Sequence, residues 1–292
     1  MKSSKSLFEI HAAVLLFGLS GLFGKWISLS PFLIVFGRVM FACLSLALLL
    51  VLRKQKFTIR DRKDYLLFFF LGFILASHWV SFFRSIQVST VAIGLFSYSS
   101  FPVFTAFLEP LFFKEKFDRL NILFAFVCLF GVFLIIPRLD IGHSTTEGVL
   151  WGLVSGLTFA LLSIFNRKLS LKYSSLIIAF FQDFFAALLL LPFFIYLQPR
   201  PDIRNLALLL FLGVVCTAGS HTLFIKGMRQ IKAQTASLIS TLEPVYGILL
   251  AFLLLHEVPS LRTILGGLVI LGAVLILSVR TASTAVDKIR SY

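Results

Sequence analysis

A carboxylate placed partway along an apolar stretch needs a charged partner or a wet cavity, because an ionised group in hydrocarbon is expensive. Glu243 is such a group, lying inside the run from Ile231 to Leu255 and immediately before Pro244. The proline's missing amide hydrogen and its ring clash loosen a helix there. The Glu243 carboxylate could hold a substrate amine or carry a coupling proton; the blander alternative is a buried, protonated glutamate bonded to a neighbouring helix. Gln234, Ser237 and Thr241 precede it at three- and four-residue spacing, so they share one helix face and would form a polar wall. Helix packing through small polar residues explains the serine and threonine equally well. Tyr246 follows, with a ring to stack and a hydroxyl to bond to a ligand.

Asp183, beside Gln182, lies among Phe180, Phe181, Phe184 and Phe185. It could bind an amine or exchange protons, and its expected partner is Arg38, the charged residue of the second apolar run; a purely structural ion pair is the competing reading. His78-Trp79 and His221 could relay protons near neutral pH, although lone histidines on apolar helices are more often satisfied core residues. Tyr98, in Ser97-Tyr98-Ser99-Ser100 just before Pro102, marks another polar break. Glu109-Pro110 lies near the end of the same run, where the acid could snorkel or gate. Cys43, Cys128 and Cys216 stand without metal or redox spacing and read as small core residues. No metal site or cofactor is expected. Enzyme activity is not expected either: an intramembrane protease or transferase needs a nucleophile and base at meeting positions, and the serines and histidines form no recognisable pair. A Gly-rich phosphate loop is also missing, so nucleotide hydrolysis is excluded as an energy source.

The elements that position these residues follow from the composition. Hydrophobic residues make up 59%, Phe alone numbers 35, charged residues reach 14% and mean hydropathy is +0.98. Soluble domains carry roughly 25% charged residues, so the lipid bilayer is the expected solvent. A spanning helix needs about 20 mostly apolar residues. Ten such runs are expected: Leu7 to Ile27, Phe32 to Leu52, Tyr65 to Ile86, Ser89 to Phe113, Arg119 to Pro137, Gly148 to Asn166, Tyr173 to Leu197, Arg204 to Met228, Ile231 to Leu255 and Leu261 to Arg280. They do not alternate as the strands of a membrane barrel would. The run after Lys2 and Lys5 lacks a small-residue cleavage pattern beyond Trp26 and is expected to stay as a span rather than leave as a signal peptide.

Pro102, Lys114-Glu115 and Ile122-Leu123 recur in the same order and spacing as Pro244, His256-Glu257 and Ile264-Leu265. The expected organisation is therefore a first five-helix repeat over 1–137, a linker over 138–147, a second five-helix repeat over 148–280 and a cytoplasmic tail over 281–292. Five is odd, so the second copy lies inverted relative to the first, an arrangement that in transporters places a substrate site near the midplane between the halves. Pro102 and Pro244 are the expected flex points. Glu115 and Glu257 each end a helix before a tight turn and read as structural, capping amides at the start of the following helix.

The net charge of +14 does not point to nucleic acid. With both termini in the cytoplasm, most of the 27 Lys and Arg fall on the cytoplasmic side, as the positive-inside rule requires. The loop Arg53-Lys-Gln-Lys-Phe-Thr-Ile-Arg-Asp-Arg-Lys63 is the clearest contributor, and such residues meet lipid headgroups.

Leu242-Glu-Pro-Val-Tyr-Gly-Ile-Leu-Leu-Ala-Phe-Leu-Leu-Leu-His-Glu257, followed by Ile264-Leu-Gly-Gly-Leu-Val-Ile-Leu-Gly, resembles the signature of the EamA family in the drug/metabolite transporter superfamily. Phe17-Gly18, Lys25, Pro31, Arg38 and the segment Arg84-Ser-Ile-Gln through Pro102 to Glu115 resemble the opening helices of that family. One departure stands in the first copy, where Phe101 takes the place of Glu243 and the acid lies at Glu109. The resemblance implies an all-α protein of ten transmembrane helices with both termini cytoplasmic, alternating access, and export of small metabolites such as amino acids across the inner or plasma membrane. Uptake or exchange of a nucleotide- or cofactor-type metabolite is the runner-up; with only Arg38 and Arg84 available as cavity cations, a polyanion is disfavoured. The expected partners are a small-molecule substrate and the bilayer, with proton coupling open and no nucleic acid.

Overall fold

Long apolar runs broken by capping residues set the helix boundaries. In a computed structural model of the chain, residues 2–55, 57–59, 61–113, 119–136, 143–170, 172–228, 239–240 and 242–290 are described. The helices are α1 (Lys2–Trp26), α2 (Pro31–Leu52), α3 (Arg62–Val88), α4 (Val91–Tyr98), α5 (Phe101–Phe113), α6 (Arg119–Ile135), α7 (Ser144–Ser170), α8 (Ser175–Leu197), α9 (Ile203–Gly213), α10 (Ser220–Met228), α11 (Glu243–Leu255) and α12 (Leu261–Arg290). Among the described residues there is no strand. Asp61, Thr90, Ser174 and Asp202 accept from the free amides that open α3, α4, α8 and α9. Pro31 opens α2, where its fixed φ and missing N–H cost nothing.

Among the described residues, seven stretches are long and apolar enough to cross a membrane: Leu7–Trp26, Pro31–Leu52, Arg62–Val88, Val91–Phe112, Ser144–Asn166, Ser175–Leu197 and Ile203–Phe224. The expected fifth, ninth and tenth spans appear as shorter apolar helices, Leu123–Ile135, Glu243–Leu255 and Leu261–Ile276. Residues 231–238, which begin the expected ninth span, lie outside the described residues.

Two expected spans are built in pieces. The fourth consists of α4 and α5 joined through Ser99 and Ser100, and Pro102 is the second residue of α5. Pro244 likewise is the second residue of α11. Both prolines therefore start helical segments, the position a proline tolerates best, rather than interrupting a continuous helix. The eighth span consists of α9 and α10 joined by a π turn, Val214–Gly219, which the apolar pattern does not signal.

The helices pack mostly across the two halves of the sequence. Helix α1 packs on α10 and α11, α2 on α8 and α9, α3 on α7 and α8, α7 on α4 and α5, and α6 on α12. Small residues permit the closest approaches. A Cβ on Gly18 of α1 would lie 2.8 Å from the Glu243 carbonyl oxygen, so α1 crosses α11 almost backbone to backbone at Glu243. The main apolar core includes Phe68, Phe82 and Phe83 of α3 with Ala186 and Leu190 of α8. Large apolar side chains such as Phe126, Phe130 and Phe133 of α6 face outward, as lipid requires and water would not.

Candidate functional site

Arg38 is the centre of the bundle's charge. It is fully buried on α2, and its guanidinium carbon lies 3.3 Å from the centroid of the Trp79 ring on α3, with the Phe83 ring at 5.9 Å. This is a cation–π contact in a desolvated place, where such contacts are strongest. The Arg38 Nε donates to Thr217 Oγ1 at 2.8 Å, and that hydroxyl donates in turn to the Leu212 carbonyl at 2.8 Å. Thr217 belongs to the π turn, whose widened ladder lets a hydroxyl enter between α9 and α10 and face α2. Among the described residues, Nη1 and Nη2 of Arg38 are buried and have no hydrogen-bond partner.

The expected Arg38–Asp183 pair is not a direct contact. The charges of Asp183 on α8 and Glu243 on α11 both act on the guanidinium, yet among the described residues neither carboxylate has a hydrogen-bond or ion-pair partner. Stacking on Trp79 and bonding to Thr217 hold the guanidinium in place instead. Asp183 is buried, and its neighbour Gln182 donates to Asn166 Oδ1 of α7. Tyr98 and His221 also lie within the field of Arg38. The structure thus gathers Arg38, Trp79, Tyr98, Asp183, His221 and Glu243 from six helices around one cation.

The histidines differ in their surroundings. His78 is buried, and its Nδ1 lies 2.9 Å from Ser155 Oγ and 3.0 Å from the Ser155 carbonyl on α7. Its ring stands among Trp79, Tyr98 and Phe159 at centroid distances of 4.5, 5.5 and 5.0 Å. Such packing is that of a satisfied core histidine tying α3 to α7. His221 meets Phe17 of α1 edge-on at 5.6 Å. Tyr246 is held by His11 of α1, whose Nδ1 lies 3.0 Å from the tyrosine hydroxyl. His11 and Thr217 are the residues that reading the sequence missed; a polar side chain in an apolar run is their only mark. Gln234, Ser237, Thr241 and Glu115 lie outside the described residues. Among the described residues no three His, Cys, Asp or Glu side chains cluster as metal ligands.

Glu257 reaches a different helix from the one expected. Its Oε2 accepts from the Val91 amide at 2.9 Å, capping α4 rather than the following α12, whose Thr263 amide donates to Ser260 Oγ at 3.1 Å. The serine stands directly at the turn, which leaves the carboxylate free to cross to α4. Lys25 joins the same patch by donating to the Ser89 carbonyl at 2.6 Å. Nearby, Arg84 pairs with Glu147 at 2.8 Å. Arg84 is therefore not a cavity cation. At the opposite end of the bundle, Asp64 of α3 accepts from the Tyr173 hydroxyl at 2.7 Å and pairs with Lys172 at 3.4 Å.

The model of the EamA-like transporter family matches residues 5–136 and 146–279. An uncharacterized transporter of Bacillus subtilis is 25% identical over 97% of this chain and 93% of its own length. An uncharacterized inner membrane transporter of Salmonella typhimurium is 25% identical over 94% and 95%. A protein of Rickettsia bellii named as an S-adenosylmethionine uptake transporter is 25% identical over 70% and 69%. With a helical bundle rich in membrane-length apolar helices and a family match over both halves, this chain belongs to the EamA-like transporter family.

Proposed function

We propose that the protein is a secondary transporter that exports small metabolites, such as amino acids or related compounds, across the cytoplasmic membrane by alternating access. The observation that carries this reading is the cluster of buried Arg38 and Asp183 with partly buried Glu243 at the meeting of helices from both halves. Charged groups inside a bundle mark substrate or ion pathways by default. Ten spans in two inverted five-helix repeats, with both termini cytoplasmic, complete the proposal. The helix pairings support it, because they map onto themselves when the halves are exchanged: α1 on α10 and α11 corresponds to α7 on α3, α4 and α5, while α6 on α12 and α2 on α8 correspond to themselves. The basic loop from Arg53 to Lys63 favours this orientation.

In this reading the halves rock about the cluster, and the breaks before Pro102 and Pro244 absorb the movement. Glu243 or Asp183 takes a substrate amine or a coupling proton. The test is to profile metabolites in the medium of cells overexpressing the wild type and Glu243→Gln at equal membrane levels. Release of one metabolite by the wild type alone is the expected result; equal release by both removes Glu243 from the cycle. Proton coupling predicts that collapsing the pH gradient slows that release, and indifference to the gradient sinks it.

A second reading is uptake or exchange of a nucleotide- or cofactor-type metabolite, and relatives named as S-adenosylmethionine uptake transporters favour it. Accumulation of S-adenosylmethionine by proteoliposomes containing the protein distinguishes it from export of other compounds.

A further inference from the structure

We infer that the turn between α3 and α4 is the outer gate of the transport path, held shut by a clasp of three side chains, Lys25, Gln87 and Glu257. The inference rests on the transport reading and on the orientation proposed with it, and adds how the path is closed on one side.

The helices pack as two groups, α1 with α10 and α11, and α7 with α3, α4 and α5. The α3–α4 turn belongs to the second group, and three bonds tie it to the first. Lys25 Nζ, at the end of α1, donates to the Ser89 carbonyl at 2.6 Å, and Gln87 Nε2 of α3 donates to the Leu29 carbonyl, just beyond α1, at 2.9 Å. Glu257 Oε2, in the turn after α11, accepts from the Val91 amide at 2.9 Å. A turn between two helices shows the free carbonyls of the first and the free amides of the second. The lysine takes one and the carboxylate the other, each being the charge that its helix end favours.

Neither neighbouring helix needs Glu257 for its own cap. Thr90 Oγ1 already accepts from the Ile93 amide at the start of α4, and Ser260 Oγ accepts from the Thr263 amide at the start of α12. A glutamate spared from both tasks is left to hold the two groups together. Inward of the clasp the groups meet through small residues: a Cβ on Gly24 of α1 would lie 2.9 Å from Ile86 of α3, and one on Gly247 of α11 would meet Leu95 of α4. Such apolar contact is non-directional, and a small cavity lined by Thr90, Ala251, Glu257 and Val258 interrupts it beside the Val91 bond. The directional hold on the seam is therefore the clasp, whose side chains are partly buried and can exchange their bonds for bonds to water. Tyr98 of the Arg38 site lies seven residues inward of Val91 on α4, about 10 Å along the helix. The clasp thus stands on the outer side of that site.

The experiment places a reporter thiol under the clasp. Ala251→Cys, at a buried position lining the cavity, is labelled with a membrane-impermeant thiol reagent in right-side-out vesicles. The native Cys128, buried on α6, is the internal control, and both are read by peptide mapping. Glu257→Ala and Lys25→Met are each expected to raise the labelling rate of the reporter by about tenfold or more, the effect of losing one bond to a charged group, while Cys128 stays protected. Glu257→Gln keeps an acceptor for the Val91 amide and is expected to label near the parent rate. Because Glu257→Ala also takes a partner from an α4 amide and can weaken folding, Lys25→Met tests the same seam from another helix. No rise in either variant overturns the clasp, a parallel rise at Cys128 reduces both residues to structural contacts, and a rise confined to inside-out vesicles overturns the outer position. Glu243-dependent metabolite release with unchanged labelling leaves the transport reading standing while this inference falls; a rise in labelling without any transported metabolite leaves the closure and removes transport.

Discussion

The junction before α5 and the one before α11 use the same backbone device for opposite purposes. Each has turn residues, Ser99 and Ser100 at the first and Leu242 at the second, and then a proline as the second residue of a new helix. At the first, Ser99 Oγ and Ser100 Oγ donate back to the Leu95 and Ser97 carbonyls at 2.7 and 2.6 Å. Phe101 stacks on Tyr98 at 5.5 Å and meets Phe159 edge-on at 4.9 Å. That junction is held by its own serine hydroxyls and by packed rings. At the second, the equivalent place holds Glu243, partly buried and without a hydrogen-bond partner among the described residues, in the field of Arg38. A helix break frees local geometry; the side chain standing at it decides whether that freedom serves packing or presents a charge.

The contrast breaks if the two positions respond alike to truncation. Phe101→Ala removes a packed ring and is expected to cost about 3 kcal/mol of stability, read as a lowered unfolding midpoint in detergent, while substrate affinity of the folded fraction changes little. Glu243→Gln is expected to do the reverse. Losing one interaction with a charged group is worth about 1.5–3 kcal/mol, so transport into proteoliposomes falls about ten- to hundredfold with little change in midpoint. Ser155→Ala sharpens the packed side: His78 loses its hydroxyl partner but keeps the carbonyl at 3.0 Å, and the expected loss is about 1 kcal/mol of stability. The smallest effect is expected from His11→Ala and Tyr246→Phe. Each should cost about 0.5–1 kcal/mol by thermal unfolding, and the double variant should cost less than their sum, because both remove the same bond.

The intramembrane charges were legible because lipid leaves them no innocent explanation. Arg38, Asp183 and Glu243 stood out by type alone, and their meeting follows from the expected repeat. What they touch was not legible. In a helix that is apolar all round, the side facing lipid is as hydrophobic as the side facing protein, so the sequence carries no phase that says which residues look inward. Trp79 under Arg38, Ser155 on His78 and His11 on Tyr246 all depend on that phase. The expected Arg38–Asp183 pair failed for the same reason, since equivalent positions in two copies say nothing about side-chain reach. Sequence points to a local cap at Glu257 because turn chemistry is local in sequence; the bond to Val91 is a long-range contact that no spacing encodes.

The π turn at Val214–Gly219 sets an angular phase as well as a hydrogen bond. Each residue of an α-helix advances the side-chain direction by about 100°, and a wide turn holds one residue more than the regular ladder. His221, Thr222 and Phe224, which follow it, therefore point where they do because of that additional residue. Removing a single residue between Gly213 and Ser220 would leave a regular, more conventional helix. It would also swing everything beyond it by about a quarter turn, taking His221 away from Phe17. Length, at this point of the chain, acts as a rotational setting.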